Sequence, residues 1–275
     1  MPSTLYLVAT PIGNLLDISE RAKKVLSEVD FIAAEDTRNS LKLISAYGIK
    51  NELVSYFEHN KKSSGERIIA RLLNGESCAL VTDAGMPAIS DPGEDIVRLC
   101  AEAGITVAIV PGACAAVSAL ALSALPTGKF TFEGFLPAAK GERLKELEKL
   151  EYERRTMIFY EAPHKLLKTL EDMCDVFGKE RKISLSRELT KLNEETLRTT
   201  LSEALAHFLE KEPRGEYVLV VEGSLKEEGN GLSNLTVPEH IEYYVKSGLS
   251  KKDAIKAVAK DRALPKSEIY RYTIG

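Results

Sequence analysis

Within the first 125 residues, short apolar runs recur at regular intervals, and each is followed by a turn and then by a segment with helical periodicity. A chain written this way is built to bury a largely parallel sheet under helices, because parallel strands need crossover connections and those connections cover the faces. TLYLVA (Thr4 to Ala9) is a first strand. After the loop PIGN, Ser19 is placed to cap a helix whose Ala22, Val25, Leu26 and Val29 fall at i, i+3, i+4, i+7. DFIAA is a second strand, and a helix carrying Ile68, Ile69, Leu72 and Leu73 on one side stops at Asn74-Gly75. The strand CALVTD, a helix ending near Gly104 and the strand ITVAIV complete the series. Each strand runs into a loop rich in Gly, Pro or acidic residues, which puts chemistry at the carboxyl ends of the strands, where open α/β sheets bind ligands.

Around Leu125-Pro126 the rhythm changes to FTFEGF, a charged helix near Gly141 to Leu150, TMIFYE, a helix ending at Gly178, KISLSR and EYVLVVEG. These form a second α/β segment. GSLKEEGNGLSN (Gly223 to Asn234) is polar and Gly-rich and reads as a flexible linker. Beyond it, three short helical patterns are broken by Gly248 and Pro265. The expected organisation is therefore an N-terminal α/β domain over residues 1–125, a second over 126–223, a linker over 224–236 and a helical module over 237–275.

Composition narrows the function classes. No apolar run approaches the roughly 20 residues of a membrane-spanning helix, and MPSTLYLVAT lacks the basic start of a secretory leader, so cytoplasmic residence is expected. Cys78, Cys100, Cys114 and Cys174 form no CxxC pair, which argues against a zinc site or a disulfide framework. Net charge is −4, so any polyanion footprint must be local. From Ser233 onward there are 8 Lys/Arg against 5 Asp/Glu, which leaves the tail at +3 and the rest of the chain at −7.

Three loops carry the chemical information. LVATPIGNL (Leu7 to Leu15) is a strand followed by a Pro/Gly turn where backbone amides can approach a ligand, or an ordinary βα turn; it lacks the third glycine of a nicotinamide-dinucleotide loop. VTDAGMPAISDPG (Val81 to Gly93) places two Gly/Pro turns and the carboxylates Asp83 and Asp91 directly after a strand, and Asp91-Pro92 also suits a helix start, with Asp91 as N-cap and Pro92 at N1. VPGACAAVSAL (Val110 to Leu120) opens a helix of small residues, fitted either to a flat ligand or to tight packing.

Together these segments resemble the tetrapyrrole-methylase superfamily of S-adenosylmethionine-dependent enzymes over nearly all of residues 4 to 223. Five shorter stretches, AEDTR (Ala34 to Arg38), the EHN of SYFEHN (Ser55 to Asn60), DAGMPAISDPG, IFYEAPHK (Ile158 to Lys165) and SRELTK (Ser186 to Lys191), resemble in the same order the bacterial ribosomal RNA small-subunit methyltransferase I family. That family methylates the 2′-hydroxyl of a cytidine in the decoding region of 16S rRNA.

The resemblance implies a two-domain α/β fold with a cofactor cleft between the domains and a small C-terminal helical module. It implies S-adenosyl-L-methionine as cofactor, no metal, 16S rRNA in the small ribosomal subunit as partner, and a homodimer. Carried over by motif, the cofactor would contact Pro11, Ile12, Asp83, Ala84, Gly85, Met86, Ile89, Cys114, Ala115, Tyr160, Leu189 and the region of Gly215. Met86 stands where the superfamily usually has Asp, and Ala113 where the closer family often has Pro.

For the acceptor side, Glu35, Asp36, Arg38, His59 and Asn60 are the candidate catalytic residues. A weakly acidic sugar hydroxyl benefits from a proton acceptor, which His59 or a carboxylate could supply, and Arg38 and Asn60 suit phosphate or base edges. Glu161 and Glu188 are further carboxylate candidates, whereas His164, directly after Pro163, suits a helix cap or a surface position. For Asp36 and Arg38 the plain alternative is a structural ion pair. Lys251, Lys252, Lys256 and Lys260 recur at helical spacing over a core of Ile255, Val258 and Ala259, which makes either a phosphate-binding stripe or a solvated face. Two rival functions stay open: a precorrin or porphyrin-precursor C-methyltransferase, against which AEDTR and the basic tail argue, and a noncatalytic RNA-binding assembly factor.

Overall fold

The computed structural model describes residues 3–225, 232, 235–262 and 264–272. It divides into two compact units, Met1–Ser224 and Leu225–Gly275.

The first unit holds two five-stranded sheets. In the first, β1 (Thr4–Val8), β2 (Phe31–Ala34), β3 (Leu53–Ser55), β4 (Cys78–Val81) and β5 (Thr106–Val110) lie in the order β3-β2-β4-β1-β5, every neighbouring pair parallel. The crossovers are helices α1 (Glu20–Glu28), α2 (Thr37–Ala46), α3 (Lys61–Leu73) and α4 (Gly93–Glu102). Because side chains alternate along a strand, the sheet feeds two cores. Leu5, Leu7, Phe31, Ala33, Cys78 and Leu80 pack under α3 and α4, and Val8, Ile32, Ala34, Ala79 and Val81 pack under α1. Burial on both faces is why β2 and β4 read as continuous apolar runs.

After α5 (Ala115–Leu122), the second sheet comprises β6 (Phe130–Phe135), β7 (Thr156–Glu161), β8 (Lys182–Arg187), β9 (Glu195–Thr200) and β10 (Tyr217–Val221) in the order β6-β7-β10-β8-β9. Only β6 and β7 run parallel. Met157, Phe159, Leu185 and Leu219 face α6 (Lys140–Lys149), α7 (Pro163–Phe177) and α8 (Leu201–Glu210), whose Leu147, Leu170 and Ala204 complete that core. The opposite face, with Ile158, Val218 and Val220, packs on Ala116, Ala119 and Leu120 of α5. The small residues of α5 therefore let a helix lie close against the second sheet.

The structure departs from the sequence reading at several places, and helices α2 and α8 are among the elements it adds. β3 and β9 were not anticipated: β3 has three half-buried residues, too few to show alternation, and β9 is a polar edge strand, ETLRTT. Helix α4 begins at Gly93 with Pro92 as its N-cap, rather than with Asp91 as cap and Pro92 at N1. The Asp91 side chain instead ties the preceding turn, its Oδ1 accepting from Ala88 N at 3.0 Å and from Gly93 N at 2.7 Å.

In the second unit, α9 (Val237–Lys246), α10 (Lys251–Asp261) and α11 (Lys266–Arg271) close over Val237, Ile241, Ala254, Ile255, Val258, Ala259 and Ile269. Thr236 and Glu239 form a reciprocal cap on α9, and Ser250 caps α10. Buried His240 accepts through Nδ1 from Arg262 Nε at 3.2 Å, and its Nε2 lies 3.3 Å from Asp261 Oδ2. Lys251, Lys252, Lys256 and Lys260 are exposed. Most of the expected linker, residues 226–231, 233 and 234, lies outside the described residues, as do residues 273–275. Among the described residues, no helix is long and apolar enough to cross a membrane.

Candidate functional site

Loops leaving β1, β2 and β4 converge at the carboxyl edge of the first sheet. Thr10 and Gly85 form an isolated antiparallel bridge, Thr10 N to Gly85 O at 2.9 Å and Gly85 N to Thr10 O at 3.1 Å, which locks the first loop to the loop after β4. Gly85 takes a φ of +86°, a conformation that glycine adopts without steric cost. Further along, Ala88 and Ser90 have φ of 68° and 61°, and after β8 Glu188 and Thr190 have 51° and 65°. Left-handed backbone at non-glycine residues costs roughly 1–2 kcal/mol each. Of the five such residues among those described, four sit in these two loops, a concentration typical of a functional site. The loops also meet the opposite half closely: a Cβ at Gly13 would lie 2.5 Å from Lys191 Cγ and 2.9 Å from Leu189 O.

These loops enclose a cavity of about 400 Å³ between the two sheets. Its walls carry Glu35, Asp83, Asp91, Glu161, Glu188 and Glu216 against a single lysine, Lys191. Glu35 accepts from Thr82 Oγ1 at 3.0 Å, and burial, reinforced by Asp83, Asp91 and Asp36, pushes its carboxyl above the ordinary range. Burial likewise raises Asp91, whose Oδ2 is enclosed without a hydrogen-bond partner in the structure. Glu161 is held on both oxygens, Oε1 accepting from Ala162 N at 2.9 Å and Oε2 from Thr169 Oγ1 at 2.5 Å. Glu188 pairs with Lys191 at 2.9 Å. Tyr160, wedged between Phe132 and Phe135, has its phenol raised by burial.

Of the residues expected to touch a cofactor, Ile12, Asp83, Ala84, Gly85, Met86, Ile89, Cys114, Ala115, Tyr160 and Leu189 all line this cavity. Pro11 is buried beside the Thr10 bridge, off the wall. Gly215 is also off the wall; a Cβ there would come within 2.7 Å of Glu188 Oε1, so its bare backbone makes room for that carboxylate.

Of the five candidate catalytic residues, Glu35 alone reaches the wall. Asp36 caps α2, accepting from Arg38 N at 2.8 Å and pairing with Arg38 Nη2 at 3.1 Å, and these bonds hold its carboxyl below the usual range. The Arg38 side chain is 87% exposed. His59 is exposed with its ring edge-on to Phe57, and the Asn60 amide spans its own turn, accepting from Phe57 N at 2.8 Å and donating to Ser55 O at 3.3 Å. His164 is exposed at the second position of α7.

Sequence reasoning passed over Phe135, Ser186, Glu216 and Tyr217. They belong to strands of the second sheet or their flanks, where nothing but strand alternation marks an inward-facing residue.

The profile of the Tetrapyrrole (Corrin/Porphyrin) Methylases matches residues 4–205. The chain is 50% identical over 270 residues to the Ribosomal RNA small subunit methyltransferase I of Halalkalibacterium halodurans, covering 97% of this chain and 93% of that one. It is 50% identical to the protein of the same name from Bacillus subtilis, covering 97% and 92%. The chain belongs to this methyltransferase family. Among solved structures, the uroporphyrin-III C-methyltransferase from Thermus thermophilus complexed with S-adenosylhomocysteine aligns with a TM-score of 0.56 at 18% identity, over 80% of this chain and 97% of that one. At that identity the likeness establishes the family's fold and nothing of the substrate.

Proposed function

We propose that this protein transfers a methyl group from S-adenosyl-L-methionine to the 2′-oxygen of a cytidine ribose in the decoding region of 16S rRNA, acting in the cytoplasm on the small ribosomal subunit. The observation that carries the donor half is the charge of the cavity: six carboxylates and one lysine make a poor home for an anion and a good one for a cationic sulfonium. Family membership at 50% identity over nearly the whole chain supports the RNA half and weighs against a porphyrin substrate.

When bound, S-adenosylmethionine supplies an activated methyl on positively charged sulfur. The chain's own residues do the rest. The loop from Asp83 to Ile89, together with Ile12, Cys114, Ala115, Tyr160 and Leu189, holds the donor in one orientation, and alignment of reacting atoms accounts for up to ~7–11 kcal/mol of a barrier in favourable cases. Glu35 stands at the cavity wall with its proton affinity raised by burial, which improves it as acceptor of the ribose hydroxyl proton. Asp36, Arg38, His59 and Asn60 flank the approach of the nucleotide, Arg38 offering an exposed guanidinium to phosphate. The protein pairs as a homodimer; exposed apolar residues such as Ile109 on the edge strand β5 and Val117 on α5 favour pairing.

Single-turnover methylation of purified small subunits tests this reading. Asp36→Asn, Arg38→Ala and His59→Ala should each lower methyl transfer while sparing donor affinity. Wild-type rates in all three would remove that face from the reaction.

A further inference from the structure

A second concavity, of about 300 Å³, opens on the far side of the Thr82–Asp83 segment. Both residues also line the acidic cavity, so one two-residue partition separates the two spaces. The outer pocket is walled, besides Thr82 and Asp83, by Leu15, Asn39, Ser40, Lys42, Leu43 and Ala46. Its character differs from that of the inner cavity. Leu15, on its wall, is 49% exposed and gives an apolar surface that a flat ring could cover. Asn39 Nδ2 donates to Asp83 Oδ2 at 3.2 Å, which fixes the amide so that its Oδ1 remains an acceptor beside the Asp83 carboxylate. Arg38 and Lys42, four residues apart on α2, present two exposed cations on one side of that helix.

We propose that this pocket receives the base of the nucleotide being methylated, and that Asn39 and Asp83 select a base bearing an exocyclic amino group. The proposal rests on the RNA methyltransferase reading and adds the acceptor subsite to it. An unstacked RNA base needs an apolar surface for its ring, hydrogen-bond partners for its edge and cations for its flanking phosphates, and these three features surround the pocket. Two acceptor groups side by side match an N–H donor on the base edge and mismatch a carbonyl oxygen. The shared partition explains why this pocket serves the acceptor: a base on one side of Thr82–Asp83 leaves its ribose close to Glu35, which accepts from Thr82.

The test uses two substitutions at exposed positions, Asn39→Ala and Ala46→Phe, in the full-length protein. Substrates are small subunits from cells lacking the protein, and subunits reconstituted with cytidine or uridine at the nucleotide that mass mapping shows to be methylated. Ala46→Phe, which fills the pocket, should lower kcat/KM for subunits at least tenfold through KM, with S-adenosylmethionine affinity within twofold of wild type by calorimetry. Asn39→Ala should reduce the preference for cytidine over uridine, roughly tenfold for one lost hydrogen bond. Wild-type kcat/KM in Ala46→Phe together with an unchanged base preference in Asn39→Ala would overturn the pocket assignment and leave the parent reading standing. Failure of the wild-type protein to methylate any RNA would overturn both.

Discussion

Replacing Gly85 separates backbone strain from occupation of the cavity proposed to hold the donor. A Cβ at this position would sit 3.4 Å from Ile12 Cγ2 and 3.6 Å from Ala113 O, ordinary contact distances, so Gly85→Ala has room. Its cost is conformational, about 1–2 kcal/mol for an alanine at positive φ. For a unit of this size that lowers Tm by roughly 2–8 °C, while donor affinity stays within about tenfold. Gly85→Arg carries the same backbone cost but also extends a cation toward the cavity that the sulfonium would occupy. Two positive charges about 4 Å apart, at an effective dielectric of about 20, repel by about 4 kcal/mol, roughly a thousandfold in affinity. Calorimetry with S-adenosylmethionine and with S-adenosylhomocysteine, which lacks the sulfonium charge, separates charge from steric exclusion: the former should lose more. A folded Gly85→Arg protein that binds S-adenosylmethionine within tenfold of wild type would refute the placement of the donor beside this loop.

Three further outcomes are expected. Asp172→Ala should destabilise the first unit by about 3–5 kcal/mol in urea melts, because Arg143, which is 4% exposed and donates to Asp172 Oδ2 at 2.7 Å, would keep its bonds to Pro137 O and Ala138 O but lose the partner of its buried charge. Glu35→Gln should slow methyl transfer and should raise Tm at pH 8. Because burial raises the folded-state pKa of Glu35, the wild-type carboxyl adds relative stability only at low pH and loses it as pH rises through that pKa, so the Tm difference should vanish toward pH 4. Deleting Leu235 to Gly275, which carries the exposed lysines of α10, should weaken RNA binding and flatten its salt dependence while leaving donor affinity intact.

How much of this was legible in the sequence depended on the type of signal. The parallel sheet was readable because burial on both faces leaves continuous apolar runs such as Phe31–Ala34 and Cys78–Val81, and the Ser19 cap was readable because its chemistry is local. The cavity wall at Asp83 to Ile89 and Cys114-Ala115 was reached through the family resemblance, which carried those positions over by motif, and the Gly/Pro turns and carboxylates after β4 pointed the same way. The acceptor side was less so. Glu35 and Asp36 are adjacent carboxylates in one motif, yet the backbone turns one to the cavity wall and the other to the Arg38 ion pair. Asn60 is equally polar in sequence but spends both ends of its amide on its own turn. Glu216 and Tyr217 reach the cavity through the second sheet, whose strand order no local pattern specifies.

The central claim is methyl transfer to a ribose of small-subunit RNA, and nucleotide-resolution mass mapping of 16S rRNA from cells lacking this protein tests it most directly. The account predicts that a single decoding-region cytidine loses one ribose methyl group, and that purified protein with S-adenosylmethionine restores it on isolated small subunits. A 16S rRNA whose ribose methylation is unchanged in those cells would contradict it.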